Sequence, residues 1–183
     1  MWFKPSPKDS NLIAAFKFVS LFFGLFIIGY FALSLTKIPN YVAAITSQFV
    51  LSAFFGADSI LTYSSSVPVI SIHSLNANIL DLCSGAIEIA VMFGIIFSSL
   101  EKKMRYRIWG FAIGLLTLLS FNAFRIATTI YYFDLGNLEW SAALHDFLFR
   151  IFLIIIIVTY YAIWYFYDQP RKKINGTKKG WNK

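Results

Sequence analysis

The chain of 183 residues contains one cysteine and two histidines. A single cysteine excludes a disulfide within the chain, so cysteine usage does not indicate the redox compartment. A structural zinc site usually takes four cysteine or histidine ligands, and three such residues argue against one. We therefore expect no structural zinc site.

Acidic residues are also few, with nine Asp and Glu against sixteen Lys and Arg and a formal net charge of +7. Such an excess can indicate nucleic-acid binding. Here, however, the basic residues stand beside long apolar runs, where they orient a membrane protein. We therefore interpret the charge as topology and exclude a nucleic-acid partner.

Apolar residues are abundant at 58%, and aromatic residues make up 19%. This is more than a soluble domain of this length needs for its core. Four runs are long enough to cross a hydrocarbon layer of about 30 Å, which takes about 20 helical residues. They are residues 12–35, 83–100, 108–133 and 142–167.

These runs predict an all-α integral membrane protein with a bundle of four, or five, transmembrane helices. Residues 1–169 form one domain, and a basic cytoplasmic tail follows at 170–183. The first run is too long for a signal-peptide core and has no small-residue cleavage site after it. We therefore interpret it as a retained anchor.

The short loop between the second and third runs is basic, with Lys102, Lys103, Arg105 and Arg107, and further basic residues follow the last run. The positive-inside rule makes both segments cytoplasmic. The sequence thus predicts a multi-pass protein of the plasma membrane with a cytoplasmic C-terminus. The start of the second run, the end of the third and the start of the fourth then all lie at the extracytoplasmic face.

Residues 40–56 are apolar but interrupted by polar side chains, and two interpretations stay open. A fifth span would put the N-terminus outside. A helix lying flat on the outer surface keeps Lys4 and Lys8 inside, which fits the positive-inside rule better and is favoured. The β-branched stretches at 60–63 and 69–72 predict a short outer hairpin before the second span.

Cys83 opens the second run within the sequence Leu82-Cys83-Ser84-Gly85. A lone thiol in a membrane helix also fits a small, packed hydrophobe. Gly85, however, permits close backbone approach, and a helix N-terminus favours the thiolate, the form of cysteine that attacks a carbonyl. Cys83 is therefore a candidate nucleophile.

Arg125 lies inside the third run, where insertion costs at least about 2.5 to 3.5 kcal/mol. It either extends to the lipid head groups or acts electrostatically, holding Cys83 ionised and then stabilising an oxyanion. Asn122, three residues earlier on the same helix face, is expected to orient the guanidinium through a hydrogen bond. Glu88 is interpreted as structural, neutralising Arg125 or Arg150 across the bundle.

His145 titrates in the range that suits proton transfer between a nucleophile and a leaving group. Taken alone, it equally fits an interfacial histidine bound to head groups. Asp146 either orients it or caps the helix. Arg150, five residues further along, is the rival for a third catalytic place and ranks after His145.

The order Cys83-Ser84-Gly85, then Asn122-x-x-Arg125, then His145-Asp146, each at the outer end of a membrane helix, resembles the exosortase/archaeosortase family of protein-sorting enzymes. The resemblance extends over about residues 37–167, although many members have more spans. It implies a membrane-embedded cysteine transpeptidase. Such enzymes cleave exported proteins that end in a short signal, a transmembrane helix and a basic tail. The new C-terminus passes to another anchor, often a membrane lipid.

In those terms Cys83 is the nucleophile that forms a thioester, Arg125 its electrostatic partner and His145 the proton carrier. Two other classes stay open. An intramembrane serine protease would use Ser84 and His145, but it leaves Arg125 without a role. A non-enzymatic assembly or transport subunit would use Arg125 and Glu88 as a buried structural ion pair, with Cys83 dispensable.

Overall fold

A computed structural model describes residues 7–64, 67–73, 75–143 and 149–167 of the chain. The described part is mostly helical and also contains three strands and one 3₁₀ turn. In chain order the elements are α1 Pro7–Thr36, α2 Ile38–Phe55, β1 Ser59–Ser64, β2 Val67–Ile72, β3 Leu75–Asn78, the turn Asp81–Cys83, α3 Ala86–Ser98, α4 Met104–Asp134, α5 Leu138–Ala143 and α6 Phe149–Tyr167.

Three of the described helices are long and apolar enough to cross a membrane, namely Leu12–Thr36, Ile38–Phe55 and Met104–Asp134. These helices are consistent with a membrane protein. The bundle of four or five spans stays a prediction, because α3 has 13 residues and reaches only about 20 Å at about 1.5 Å per residue. The apolar part of α6, Ile151–Tyr167, is also shorter than the other three.

Helix α2 coincides with the run for which two interpretations were open. By length and composition it qualifies as a span, the alternative ranked second from the sequence. Two of its hydroxyls are bonded within the helix: the Thr46 hydroxyl donates to the Val42 carbonyl, and the Ser52 hydroxyl donates to the Gln48 carbonyl. Hydroxyls bonded to their own helix no longer need water, so these residues do not bar α2 from lipid.

The predicted hairpin is one part of a three-stranded antiparallel sheet with strand order β1-β2-β3. In this sheet Ile70 of β2 lies opposite Leu61 of β1 and Ala77 of β3. The central strand buries Ile70 and Ile72 against apolar residues of α2 and α4. The sheet therefore anchors the segment that leads into the Cys83 turn.

A second apolar cluster joins α3, α4 and α6. Helices α4 and α6 approach closely where α4 has glycine: a Cβ atom on Gly110 would lie 2.0 Å from Nε1 of Trp164, and one on Gly114 would lie 2.8 Å from the Tyr160 ring. Small residues at such positions allow membrane helices to pack tightly. The basic loop between α3 and α4, residues 99–103, lies at the opposite end of α3 from Cys83.

Candidate active site

Cys83 is the last residue of the 3₁₀ turn Asp81–Cys83, and its N–H donates to the Leu80 carbonyl at 2.9 Å. Ser84 and Gly85 follow, and α3 begins only at Ala86. The helix thus begins three residues later than the apolar run predicted, and Cys83 lies just before its N-terminus.

The carbonyl oxygen of Cys83 is held by two side chains of α4. Nδ2 of Asn122 donates to it at 3.1 Å, and a terminal guanidinium nitrogen of Arg125 donates to it at 3.1 Å. Both donors are buried, with 3% of each residue exposed. Residues three apart share one helix face, and this face is directed at the residue that carries the only thiol.

This geometry corrects the expected role of Asn122, which was to orient the guanidinium. Its amide instead donates to the same carbonyl as Arg125. Gly85 makes the approach possible, because a Cβ atom at that position would lie 3.2 Å from Nδ2 of Asn122. Gly85 also has a φ of 77°, in the region that only glycine adopts readily. Gly85 thus allows the chain to turn after Cys83 and also leaves room for the Asn122 side chain.

Ser84 is fully buried. Its hydroxyl donates to the Asp81 carbonyl at 2.7 Å and accepts from the Ala86 N–H at 3.3 Å. A hydroxyl in this position satisfies one of the unpaired N–H groups at the start of a helix. Ser84 therefore supports the turn, and it is poorly placed to be a nucleophile.

Glu88 is half-buried and borders a narrow crevice together with Asn122. Within the described residues no ion pair joins Glu88 to Arg125, so the expected neutralisation of that arginine is not seen. His145 and Asp146 lie outside the described residues, and so does the side chain of Arg150. The third catalytic place therefore stays a prediction.

Three residues that the sequence analysis did not single out hold the Cys83 turn from the other side. The Lys37 ammonium lies 2.5 Å from one carboxylate oxygen of Asp81, and Nδ2 of Asn40 donates to the other at 2.8 Å. The Asn40 amide also donates to the Ile79 carbonyl at 3.3 Å. No sequence pattern signals these contacts, because Asp81 is 44 residues from Lys37.

Hydrogen bonds from Lys37 and then Asn40 lower the pKa of Asp81 below its ordinary value. The ionised carboxylate is the form that these donors stabilise. Beside it lies a cavity of about 240 Å³, lined by Lys37, Asn40, Val67, Leu80, Asp81 and Leu82. The turn that carries Cys83 thus forms part of the wall of a small open cavity.

An apolar groove of about 480 Å³ lies between α2 and α4. Phe49 and Phe54 of α2 line one side, and Leu116, Ala123 and Phe124 of α4 line the other. Ala123 follows Asn122 directly in α4, so the groove borders the anchoring side chains.

Within the described ranges, no group of three or more His, Cys, Asp or Glu side chains could hold a metal ion. Comparison of the chain with protein-family models, with curated proteins and with solved structures finds no match. Fold and site together therefore define a mainly helical protein with helices of membrane-spanning length and a single cysteine whose backbone is fixed by a buried arginine and asparagine.

Proposed function

We propose that this protein is a membrane-embedded cysteine transpeptidase that cleaves C-terminal sorting signals from exported proteins. One observation carries the proposal: Asn122 and Arg125, both buried, converge on the backbone of Cys83. Burying an arginine in an apolar helix is costly, and in membrane segments such residues are usually functional. The resemblance of the same three positions to the exosortase/archaeosortase pattern supports the assignment.

In the proposed reaction the Cys83 thiolate attacks the carbonyl carbon of the scissile peptide bond. The carbonyl π electrons move to the oxygen, and the positive charge of Arg125 stabilises the resulting oxyanion. When the oxyanion collapses, the C–N bond breaks and the leaving amine takes a proton from an acid. His145 ranks first as that acid. Arg150 ranks second for the same catalytic place, where it would act through its positive charge, because arginine keeps its proton in proteins. The product is a thioester on Cys83 and a released C-terminal tail.

A second nucleophile, which we propose comes from a membrane lipid, then attacks the thioester. It gives its proton to the base that remained after the leaving amine was protonated, it forms the new bond to the substrate carbonyl carbon, and the Cys83 thiolate leaves. The new C-terminus of the exported protein thereby passes to a lipid anchor. All steps use side chains of this chain and the two substrates, so no metal or organic cofactor is required.

The substrate in this proposal ends in a signal, a transmembrane helix and a basic tail. Its helix enters laterally from the bilayer, and the apolar groove between α2 and α4 offers a surface for it next to Asn122. The residues around the scissile bond then occupy the cavity beside Asp81. We place this end of the molecule at the extracytoplasmic face, because the basic loop after α3 marks the cytoplasmic side.

The alternatives receive less support from the contacts. A serine protease would need a reactive Ser84, yet that hydroxyl is buried and bonded to two backbone groups. A structural subunit built on an Arg125–Glu88 ion pair would need that pair, and none joins them within the described part of the chain. The cysteine interpretation uses both Asn122 and Arg125.

The test is quantitative mass spectrometry of C-terminal peptides from exported proteins, in cells with the wild-type protein or Cys83→Ala at equal membrane abundance. We expect hydrophobic C-terminal tails to persist only with the variant, and the untrimmed proteins to identify the substrates. Ser84→Ala is the matched comparison: it loosens the turn but removes no thiol, so trimming should be reduced and still present. Identical profiles for wild type and Cys83→Ala would contradict the proposal.

A further inference from the structure

The turn Asp81–Cys83 is fixed from two sides. Asn122 and Arg125 of α4 hold the carbonyl of Cys83 from within the bundle. On the other side, Lys37 and Asn40 hold the Asp81 carboxylate at the junction of α1 and α2. Asp81 and Cys83 belong to the same single turn. The N–H and the hydroxyl of Ser84 both donate to the Asp81 carbonyl and close this turn. A shift of Asp81 therefore moves Cys83.

We propose that Lys37, Asn40 and Asp81 are positioning residues for Cys83 and form a clamp that joins the reactive turn to the α1–α2 junction. This inference rests on the proposed function, because it assigns the three residues a role in the same reaction. They do not react with substrate. They set where the Cys83 sulfur stands relative to the cavity that Leu80, Asp81 and Leu82 border.

The junction itself supports the clamp. Lys37 is the single residue between α1 and α2, and it has a φ of 54°, in the left-handed region. A residue other than glycine keeps a left-handed backbone only where the surrounding structure holds it in that conformation. Such strained residues concentrate at functional sites. The Lys37 carbonyl accepts from the N–H groups of Asn40 and Tyr41, and the Lys37 side chain contacts Asp81. The strained junction and the Cys83 turn are thus two ends of one interaction.

The clamp is partly exposed to water, so its effect on the position of Cys83 can be distinguished from its effect on the free energy of unfolding. The side chains of Lys37 and Asp81 are 48% and 50% exposed. Ion pairs that water reaches contribute little to the free energy of unfolding. A small displacement of a nucleophile, by contrast, can cost a large part of the catalytic rate. We therefore expect loss of the clamp to change the site much more than it changes the stability of the protein.

Cys83 is the only cysteine of the chain, so alkylation of the full-length protein in membranes reports on this turn alone. The experiment measures the alkylation rate of Cys83 and the rate of C-terminal trimming in the variants Asp81→Ala and Lys37→Ala. Lys103→Ala is the control, since it removes one exposed lysine at the other end of α3. The charge-swapped double variant Lys37→Asp with Asp81→Lys restores the pair, and aspartate tolerates a positive φ better than most residues.

We expect each single variant to alkylate severalfold faster than wild type, because a released turn exposes its partly buried thiol. Trimming should fall by about ten- to a hundredfold, the range for a nucleophile displaced by about 1 Å. The charge swap should return both rates towards wild type, which a merely destabilising change at either position would not do. Lys103→Ala should change neither rate.

Unchanged alkylation and trimming in Asp81→Ala would overturn the clamp while leaving the proposed function intact. Trimming by Cys83→Ala would overturn the proposed function, and the alkylation rates would still decide whether the clamp positions the turn. If the alanine variants fail to accumulate, Asp81→Asn removes the charge at constant size. Alkylation of that variant at the wild-type rate would count equally against the clamp.

Discussion

Gly85 offers a sharp test of how the site is built, because Gly56 is its natural control. Both residues have a positive φ, 77° at Gly85 and 62° at Gly56. A Cβ atom on Gly56 would meet nothing within 4 Å, whereas one on Gly85 would lie 3.2 Å from Nδ2 of Asn122. An alanine at either position carries the same backbone strain of about 1 to 2 kcal/mol. Only Gly85→Ala should also displace Asn122.

That displacement weakens the hydrogen bond from Asn122 to the Cys83 carbonyl. The net contribution of such a bond is about 0.5 to 1.5 kcal/mol. Gly85→Ala should therefore lower the free energy of unfolding by about 0.5 to 1.5 kcal/mol more than Gly56→Ala does. Equilibrium unfolding in mixed detergent micelles measures the difference.

The two variants should also differ in the reactivity of the thiol. We expect Cys83 to alkylate faster in Gly85→Ala than in wild type, because its turn loses one of two buried anchors. In Gly56→Ala, which leaves Asn122 in place, the rate should not change. Equal stability losses in the two variants, together with equal alkylation rates, would refute the idea that Gly85 is there to admit Asn122.

Three further outcomes follow from named contacts. Gly110→Ala should strongly destabilise the protein, because the added Cβ atom lies 2.0 Å from Nε1 of Trp164; the midpoint of thermal unfolding in detergent measures the loss. Ser84→Ala should cost about 1 kcal/mol through its lost hydrogen bonds and reduce C-terminal trimming without abolishing it, as measured by mass spectrometry. Asp81 should stabilise the fold above its ordinary pKa of 3.8 and lose that contribution as pH falls through its lower folded-state pKa, as unfolding midpoints between pH 6 and pH 3 will show.

Each of these outcomes has a control. Gly24→Ala places its methyl group where nothing lies within 4 Å, so a similar loss in both glycine variants would contradict the close contact of α4 with α6. Abolished trimming in Ser84→Ala, with Cys83→Ala active, would favour the serine protease. Asp81→Asn removes the titrating carboxylate, and a variant as acid-sensitive as wild type would show that Asp81 does not carry the effect.

The sequence predicted that Asn122 and Arg125 share one face of a helix, because three-residue spacing in a helix is a local property. It also placed both at the same end of the bundle as Cys83, since two apolar runs joined by a short basic loop must be antiparallel. What it missed was the atom they reach. Both side chains donate to the carbonyl of Cys83, and hydrophobic periodicity carries no information on hydrogen-bond partners.

The other features that the sequence did not predict depend on backbone conformation and on contacts between distant residues. The third strand, Leu75–Asn78, has four residues, two of them asparagine, and asparagine is depleted in strands. The helix after Cys83 begins late because Gly85 adopts a positive φ, which an apolar count does not register. The contact of Lys37 with Asp81 joins residues 44 positions apart. Only the packing of the sheet and helices brings them together.

The central claim is that Cys83 carries the substrate as a thioester, and intact-protein mass spectrometry of the purified membrane protein tests it most directly. The account predicts an added mass on Cys83 that neutral hydroxylamine removes, since hydroxylamine cleaves thioesters. The adduct should accumulate when the resolving nucleophile is depleted and should be absent from Cys83→Ala. A thiol that stays unmodified while C-terminal tails continue to be removed would contradict the account.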